Sequence, residues 1–423
     1  MKFKKFTLPN GVRVIVIPVH DNPSATVMVA CETGSNYESK RENGLSHFLE
    51  HMLFKGTPKR PSALAVATEL DAVGAESNAF TGNEATAYHA KSEKRHWKKL
   101  LEIVSDMYLN PSFPATDLEK ERGVILQEIA MYQDLPQKHV WEVLAKLLYG
   151  DSSAGRSVAG LPENVKRFSR QDFLSYHRKH YAASKTIVVI AGDVTPQAVV
   201  SEVKKIFASL PKVKKGTKDL VKEKQVTPGF TLVEKKSDQT HMVMAFRSYA
   251  SDDKRAPLVS VLMGVLGAGM SSRLFQRLRE EMGACYYIAA GTDTHTDHGY
   301  AAIWTGIDKK RILEVTGALL EECKRLTREL VTDKELQKVK DYMVSHLYMG
   351  LETTDALAGF YVSEEIIHNK CREPKEVEAL IRKVTAEDIM KTAKELFTDK
   401  NLNLAIVGNV SNGKAVKKVL TFK

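Results

Sequence analysis

The feature that most narrows what this chain can fold into is a repeat of itself. Residues 168–194 read FSRQDFLSYHRKHYAASKTIVVIAGDV, and residues 384–410 read VTAEDIMKTAKELFTDKNLNLAIVGNV. The two align without a gap at an offset of 216, with Asp172 on Asp388, Tyr181 on Phe397, Ile190 on Ile406, Gly192 on Gly408 and Val194 on Val410. Both end in an apolar strand followed by Gly-Asp/Asn-Val. An offset near half of 423 residues implies a duplicated domain of about 210 residues. The length fits, because single cores stop growing well before this size. Between the copies, residues 210–229 (LPKVKKGTKDLVKEKQVTPG) are polar, Lys-rich and bounded by Pro and Gly, which reads as an interdomain linker. The expected division is therefore 1–210, a linker over 211–229, and 230–423.

Each half alternates strands and helices in blocks, so the expected fold class is α+β, with two homologous α/β-sandwich domains. The first half opens with a hairpin, Phe3–Leu8 and Val12–Ile17, around Pro9-Asn10-Gly11. A third strand covers Ala25–Cys31. Helices are expected over about Asn43–Lys55, over Ala63–Val73 with Ser62 as N-cap and Gly74 as C-cap, and around Trp97–Tyr108. Two strands, Glu76–Thr81 and Ala85–Ala90, lie among them. Thr116 and Glu119 stand in capping-box spacing and predict a helix that runs to Leu135-Pro136. The strand pattern restarts at Thr231–Val233 and Thr240–Arg247.

Composition excludes several classes. The net charge of +10 suggests a nucleic-acid binder, yet the lysines are spread in pairs such as Lys98-Lys99 and Lys204-Lys205 among acidic residues, as on solvated helix faces. No Arg-rich arm or aromatic-interleaved basic stretch is present. Four cysteines (Cys31, Cys285, Cys323, Cys371), with no CxxC pair, form no disulfide framework and suit reduced thiols in a cytosol. The basic N-terminal residues precede an alternating rather than an unbroken apolar stretch, so they do not read as a signal peptide. No window approaches the roughly 18 apolar residues that span a membrane. The expectation is a cytoplasmic protein bound to neither nucleic acid nor membrane.

The chemistry is concentrated in GLSHFLEHMLFKG. His47 and His51, four apart on a helix, aim their imidazoles at one point, and Glu50 borders the same face. Neutral imidazole is a good zinc ligand, and a catalytic zinc keeps three protein ligands and an open position for water. Glu50 then reads as a general base beside that water. Leu45, Phe48, Leu49, Met52, Leu53 and Phe54 make the helix apolar on most sides, hence buried. In EKERGVILQEIAMYQD, Glu121 and Glu128 stand seven apart, two turns, on one face. One of them could bind the metal while the other orients a ligand or water. Val124 and Ile125 between them predict that this face is inward.

These residues resemble the inverted zincins, whose signature is H-x-x-E-H. In pitrilysin, insulin-degrading enzyme and the processing peptidases a ligand Glu follows after 76 residues, with a further Glu seven before it; here 76 residues separate His51 from Glu128, and Glu121 is seven before Glu128. The resemblance, which covers almost the whole chain, implies that His47, His51 and Glu128 bind one zinc ion per chain, that Glu50 activates water and that Glu121 supports the site. It also implies that Asn78, Ala79, Phe80 and Thr81 form an edge strand that pairs with substrate backbone. Arg279 and Tyr286, seven apart in SSRLFQRLREEMGACYYI, look like the family's Arg–Tyr pair, which positions substrate and stabilises an oxyanion from a domain without metal; Ala284 and Cys285 depart from the usual Gly-Leu-Ala-Tyr.

In the second half APLVSVLMGVLGAG stands where a second metal helix would fall and holds neither His nor Glu, which leaves one active site per chain. His177 and His180 are expected to be exposed, and His295 and His298 to lie in a loop. The function so implied is a zinc metalloendopeptidase acting on peptides or extended segments. Because one chain carries both the zinc motif and the Arg–Tyr pair, a homodimer with Arg279 and Tyr286 acting in trans is expected. The alternative is a catalytically silent scaffold or assembly subunit of the same fold, as in metal-free relatives; the complete His47, Glu50, His51, Glu121 and Glu128 set speaks against it.

Overall fold

A computed structural model describes residues 2–212 and 216–422 of the chain. The chain forms two compact units, each built on one sheet. The first unit comprises residues 1–129, 156–219 and 349–373; the second comprises 130–155, 220–348 and 374–423. They are not the contiguous blocks 1–210 and 230–423 suggested by the sequence. A helix from the first half, Pro136–Tyr149, belongs to the second unit, and a helix from the second half, Thr354–His368, belongs to the first.

The first unit's sheet contains β1 (Lys4–Thr7), β2 (Arg13–Pro18), β3 (Ser24–Cys31), β4 (Glu76–Thr81), β5 (Thr86–Glu93) and β6 (Thr186–Gly192), in the order β1-β2-β6-β3-β5-β4. Only β2 and β6 pair in parallel. The central strand β6, TIVVIAG, is buried along its whole length, as expected when both faces of a sheet are covered. On one face Val14, Val16, Val27, Val29, Val188 and Ile190 join a large core with the helices Leu45–Leu53, Trp97–Leu109 and Pro196–Phe207. The other face meets the Thr354–His368 helix, which packs on β3 and β6. That helix carries Glu365, fully buried, whose carboxylate accepts from Lys5 at 2.7 Å and from Arg13 at 3.2 Å.

The second unit repeats the arrangement. Its strands β7 (Gly229–Glu234), β8 (Thr240–Ser248), β9 (Cys285–Thr294), β10 (Gly299–Ile307) and β11 (Leu402–Gly408) run in the order β7-β11-β8-β10-β9, again with one parallel pair, β7 with β11. One face packs Met242, Met244, Phe246, Leu404 and Ile406 into the main core, and the other packs Val243, Ala245, Ala405 and Val407 against Val140, Leu144 and Leu148 of the Pro136–Tyr149 helix.

The duplication holds in detail. The helices Arg170–His180 and Ala386–Leu396 both start from a formed capping box, Ser169 with Asp172 and Thr385 with Asp388. Both lead into the strands β6 and β11. Gly192 and Gly408, which end those strands, sit at φ +148° and +157°, and a Cβ on either would lie 2.7 Å from an atom of the adjoining strand, Ala25 or Thr240.

Some local expectations shift. The Ala115–Asp134 helix starts one residue before Thr116, with the Leu118 amide donating to the Pro114 carbonyl at 2.9 Å, and Glu119 bonds Arg122 instead of closing a capping box. Pro114 cannot continue a helix backwards, so it sets the start. His180 is buried rather than exposed, hydrogen-bonded at Nδ1 to Thr33 (3.0 Å), and His177 Nε2 meets the Tyr108 carbonyl at 2.8 Å. Residues 213–215 of the linker lie outside the described residues. On its first-unit side Lys218 pairs with Glu84 (2.5 Å); on its second-unit side the Val221 amide donates to Asp297 (2.8 Å). His295 and His298 do lie between β9 and β10.

Candidate metal centre and active site

The Leu45–Leu53 helix is apolar on the side that packs into the core, with Leu45, Phe48, Leu49, Met52 and Leu53 all buried. Its polar stripe is His47, Glu50 and His51; the remaining polar residue, Ser46, is buried and hydrogen-bonded to Tyr176. The helix start is fixed by Gly44 at φ +102°, where a Cβ would lie 2.9 Å from the Cα of Gly160. The orphan amides of the first turn are taken by a residue the sequence reading missed. The buried carboxylate of Glu38 accepts from the Gly44 amide at 2.8 Å, the Ser46 amide at 2.6 Å and Asn43 Nδ2 at 3.2 Å. It thus caps the helix and complements its dipole from outside the usual N-cap position. Burial pushes Glu38 up to about 7, against the pull of the Ser46 and Gly44 amides. No local spacing signals this role; the contact arises only when the 35–44 loop folds back.

The Ala115–Asp134 helix supplies Glu121 and Glu128. Nε2 of His47 and Nε2 of His51 lie 3.6 and 3.7 Å from the same Glu128 oxygen. These separations are too long for hydrogen bonds. They suit donors gathered around a cation, since tetrahedral zinc with ligands at roughly 2.0–2.2 Å holds them about 3.3–3.5 Å apart. His47, His51 and Glu128 are the one group of three metal-ligating side chains among the described residues whose donor atoms lie within 4.8 Å of one another. The residues therefore fit a zinc ion. Burial, with the neighbouring His51, pushes His47 down to about 4, so its imidazole is neutral and available as a ligand at neutral pH.

Glu121 stands one step back. Its Oε2 lies 3.0 Å from His51 Nδ1 and its Oε1 lies 2.5 Å from Lys55 Nζ. A carboxylate at Nδ1 keeps the proton there and leaves the Nε2 lone pair free for a metal. Burial raises the Glu121 pKa, but Lys55 and His51 outweigh it and hold the carboxyl below its ordinary range. Lys55, four residues beyond His51, was not singled out in sequence, although that spacing was its signal. Between the two glutamates Ile125 is buried, whereas Val124 is 46% exposed, so the expectation that both face inward holds for Ile125 alone. Adjacent helical positions diverge by about 100° and cannot share a face.

Glu50 sits beside the histidines and accepts a 2.5 Å hydrogen bond from Thr81 Oγ1. Burial raises its pKa; the Thr81 hydroxyl and His51 oppose that rise without cancelling it. Thr81 ends β4, which lies at the edge of the sheet. The Ala79 amide is turned away from β5, accepted at 2.8 Å by its neighbour's Asn78 Oδ1. Strand alternation puts Ala79 and Thr81 on the side of the His47–His51 helix and Asn78 and Phe80 on the opposite side. The four proposed strand residues thus share an edge but not a face. Phe80 is 42% exposed.

In the second unit, Arg279 lies on a wide π-type turn, Phe275–Glu281, and donates through Nη1 to the Tyr286 carbonyl. Its guanidinium lies 5.1 Å from the centre of the Tyr286 ring, and Tyr286 is 75% exposed. The two are therefore already a pair, and the phenol is open to solvent. The Ala256–Gly267 helix follows β8 as the Leu45–Leu53 helix follows β3 and is apolar except for Ser260, with seven buried residues and no His, Cys, Asp or Glu.

The two α+β units, one of them with three side chains that could hold a metal ion, resemble known proteins of the zinc-protease class. Residues 13–161 match the family described as Insulinase (Peptidase family M16), and residues 167–343 match the Peptidase M16 inactive domain. The chain is 32% identical over 412 residues to "Uncharacterized zinc protease YmxG" of Bacillus subtilis, covering 97% of this chain and 99% of the relative. It is 30% identical over 421 residues to "Uncharacterized zinc protease SCO5738" of Streptomyces coelicolor, covering 97% and 91%. A crystal structure of a protease from Helicobacter pylori superposes with a TM-score of 0.88 at 22% identity, covering 96% of this chain and 99% of that one. The chain belongs to the peptidase M16 family, the pitrilysin type, with its two-domain architecture. No helix among the described residues is long and apolar enough to cross a membrane.

Proposed function

We propose that this protein is a zinc-dependent endopeptidase that hydrolyses peptides or extended polypeptide segments. The observation that carries the reading is the convergence of His47, His51 and Glu128 donor atoms within 4.8 Å, beside a half-buried Glu50. A zinc ion held by these three residues would supply a Lewis acid that polarises the scissile carbonyl and acidifies water. Glu50 takes the proton from the attacking water and returns it to the leaving amine. Thr81 orients the Glu50 carboxylate through its hydroxyl. The edge of β4 offers backbone groups to a substrate running as an added strand, the Ala79 amide exchanging its Asn78 Oδ1 acceptor for a substrate carbonyl. Arg279 and Tyr286 position the substrate and stabilise its developing oxyanion, supplied by the second chain of a homodimer. Four free cysteines favour work in the cytoplasm.

The decisive experiment measures zinc content and cleavage of an unstructured fluorogenic peptide for wild type and Glu50→Gln. About one zinc per chain in both, with cleavage by wild type alone and a loss of roughly 10²–10⁴-fold in the variant, is expected for a missing general base. Mixing Glu50→Gln with Tyr286→Phe chains should restore about a quarter of the sites if the pair acts in trans, because half the dimers are mixed and each then holds one complete site. A wild type that binds no zinc and cleaves nothing replaces this reading with a scaffold role.

A further inference from the structure

The metal helix carries a third rung. His47, His51 and Lys55 follow one another at spacings of four, which places their side chains along one stripe. The stripe continues past the last helical residue, because the Lys55 amide still donates to the Met52 carbonyl at 3.2 Å. Facing it, in descending order, stand Glu128 and Glu121. Glu128 meets both histidines, and Glu121 meets His51 through Oε2 and Lys55 through Oε1. The Lys55 and Glu121 side chains are only 22% and 13% exposed, so solvent screens their contact little.

We propose that Lys55 is a positioning residue for the metal centre, acting through Glu121 on His51; the proposal rests on the zinc reading given above. The terminal torsion of a glutamate is broad, so a carboxylate held at one oxygen pivots. With Lys55 on Oε1 and His51 on Oε2, the plane of the Glu121 carboxylate is fixed. Oε2 then stays on His51 Nδ1, and the ring keeps Nε2 aimed at the Glu128 oxygen. Removing the ammonium leaves Glu121 one anchor and frees the His51 ring to turn.

A competing role for Lys55 predicts the opposite sign. An ammonium near a cation site repels the cation, so if Lys55 acted by charge alone its loss would tighten metal binding. The test is the zinc dissociation constant of the full-length protein, stripped and titrated in competition with a chromophoric chelator at fixed pH. Lys55→Met should bind zinc roughly 10–100-fold more weakly, the range found when partners of metal ligands are removed. Lys55→Arg should recover most of that loss. In a Glu121→Gln background Lys55→Met should add little, because the two act in series. Circular dichroism of the stripped variants checks their folding, and Lys55→Gln takes the place of a Met variant that fails to fold. Unchanged or tighter binding by the Met variant overturns the proposal, as does equal weakening in the Met and Arg variants, which would assign the effect to packing of the stem. Failure of wild type to bind zinc removes the underlying reading instead, so the two failures are distinguishable.

Discussion

At Glu50 burial and a single hydroxyl act in opposite directions. Burial disfavours the carboxylate, while the Thr81 hydrogen bond, made to the charged form, favours it. The net shift is upward, so the ionised base is lost at a higher pH than an ordinary glutamate would lose it. In the zinc-loaded enzyme the charge of the ion favours the carboxylate as well, so the effect of the hydroxyl is read as a displacement of the acid limb of kcat/KM between two zinc-loaded proteins. Thr81→Val removes the hydrogen bond that favours the charged Glu50 and should move this limb to higher pH than in wild type; a profile measured on the zinc-loaded variant that does not move would exclude Thr81 from tuning the base. At this scale the sequence was readable wherever chemistry imposes spacing. His47, Glu50 and His51 follow from one helical turn, and Glu121 and Glu128 from two. Lys55 was equally periodic but lacked a metal-ligand side chain. Glu38 had no periodic signal, because its partners are backbone amides brought to it by a loop.

The metal helix is only nine residues long, too short to persist by its own propensity. Its geometry is imposed by the buried apolar face, by the Gly44–Gly160 approach and by the Glu38 cap. Glu38→Ala leaves the Gly44 and Ser46 amides without their acceptor in a buried setting. A loss of about 1–3 kcal/mol in unfolding free energy is expected, read from the urea midpoint at constant slope. A change below a few tenths of a kcal/mol would mean that water replaces the cap. Element boundaries in the sequence were legible where turn chemistry is local: the Ser62 cap, the Pro9-Asn10-Gly11 hairpin and the strands that end both copies of the repeat form as expected. The Thr116–Glu119 spacing misled because Pro114 already fixes the start of that helix. His180 misled because its helix amphipathicity is weak in sequence, while its burial beside Thr33 is a tertiary contact.

For the molecule as a whole, the exchange of helices between the two halves has consequences for folding. The first unit's sheet has two buried faces, and the Thr354–His368 helix covers one of them. A fragment of residues 1–210 would leave Ile15, Ile17, Met28 and Val189 uncovered and Arg13 without Glu365. Such a fragment is expected to lack a cooperative unfolding transition, and co-expression with residues 211–423 to restore one. A fragment that unfolds cooperatively alone, with the slope expected for its size, would show that the exchanged helix is dispensable. The exchange also explains why the contiguous blocks drawn from the linker do not match the compact units. A Lys-rich segment marks where the duplicated sequence restarts, whereas compactness is decided by which sheet face each helix covers.

The sequence by itself determined the duplication, the class of the fold, the strands and most helices, and the histidine and glutamate spacings that point to a metal. All of these rest on periodicities and offsets along the chain, which need no knowledge of distant contacts. Only the tertiary structure decided which helix covers which sheet, that Glu38 caps the metal helix, that Glu121 divides its oxygens between His51 and Lys55, and that Asn78 and Phe80 point away from the side of the base. All but the Glu38 cap depend on residues far apart in sequence meeting at distances of a few ångströms, and the cap, whose partners lie six and eight residues on, depends on a loop that folds back with no periodic signal.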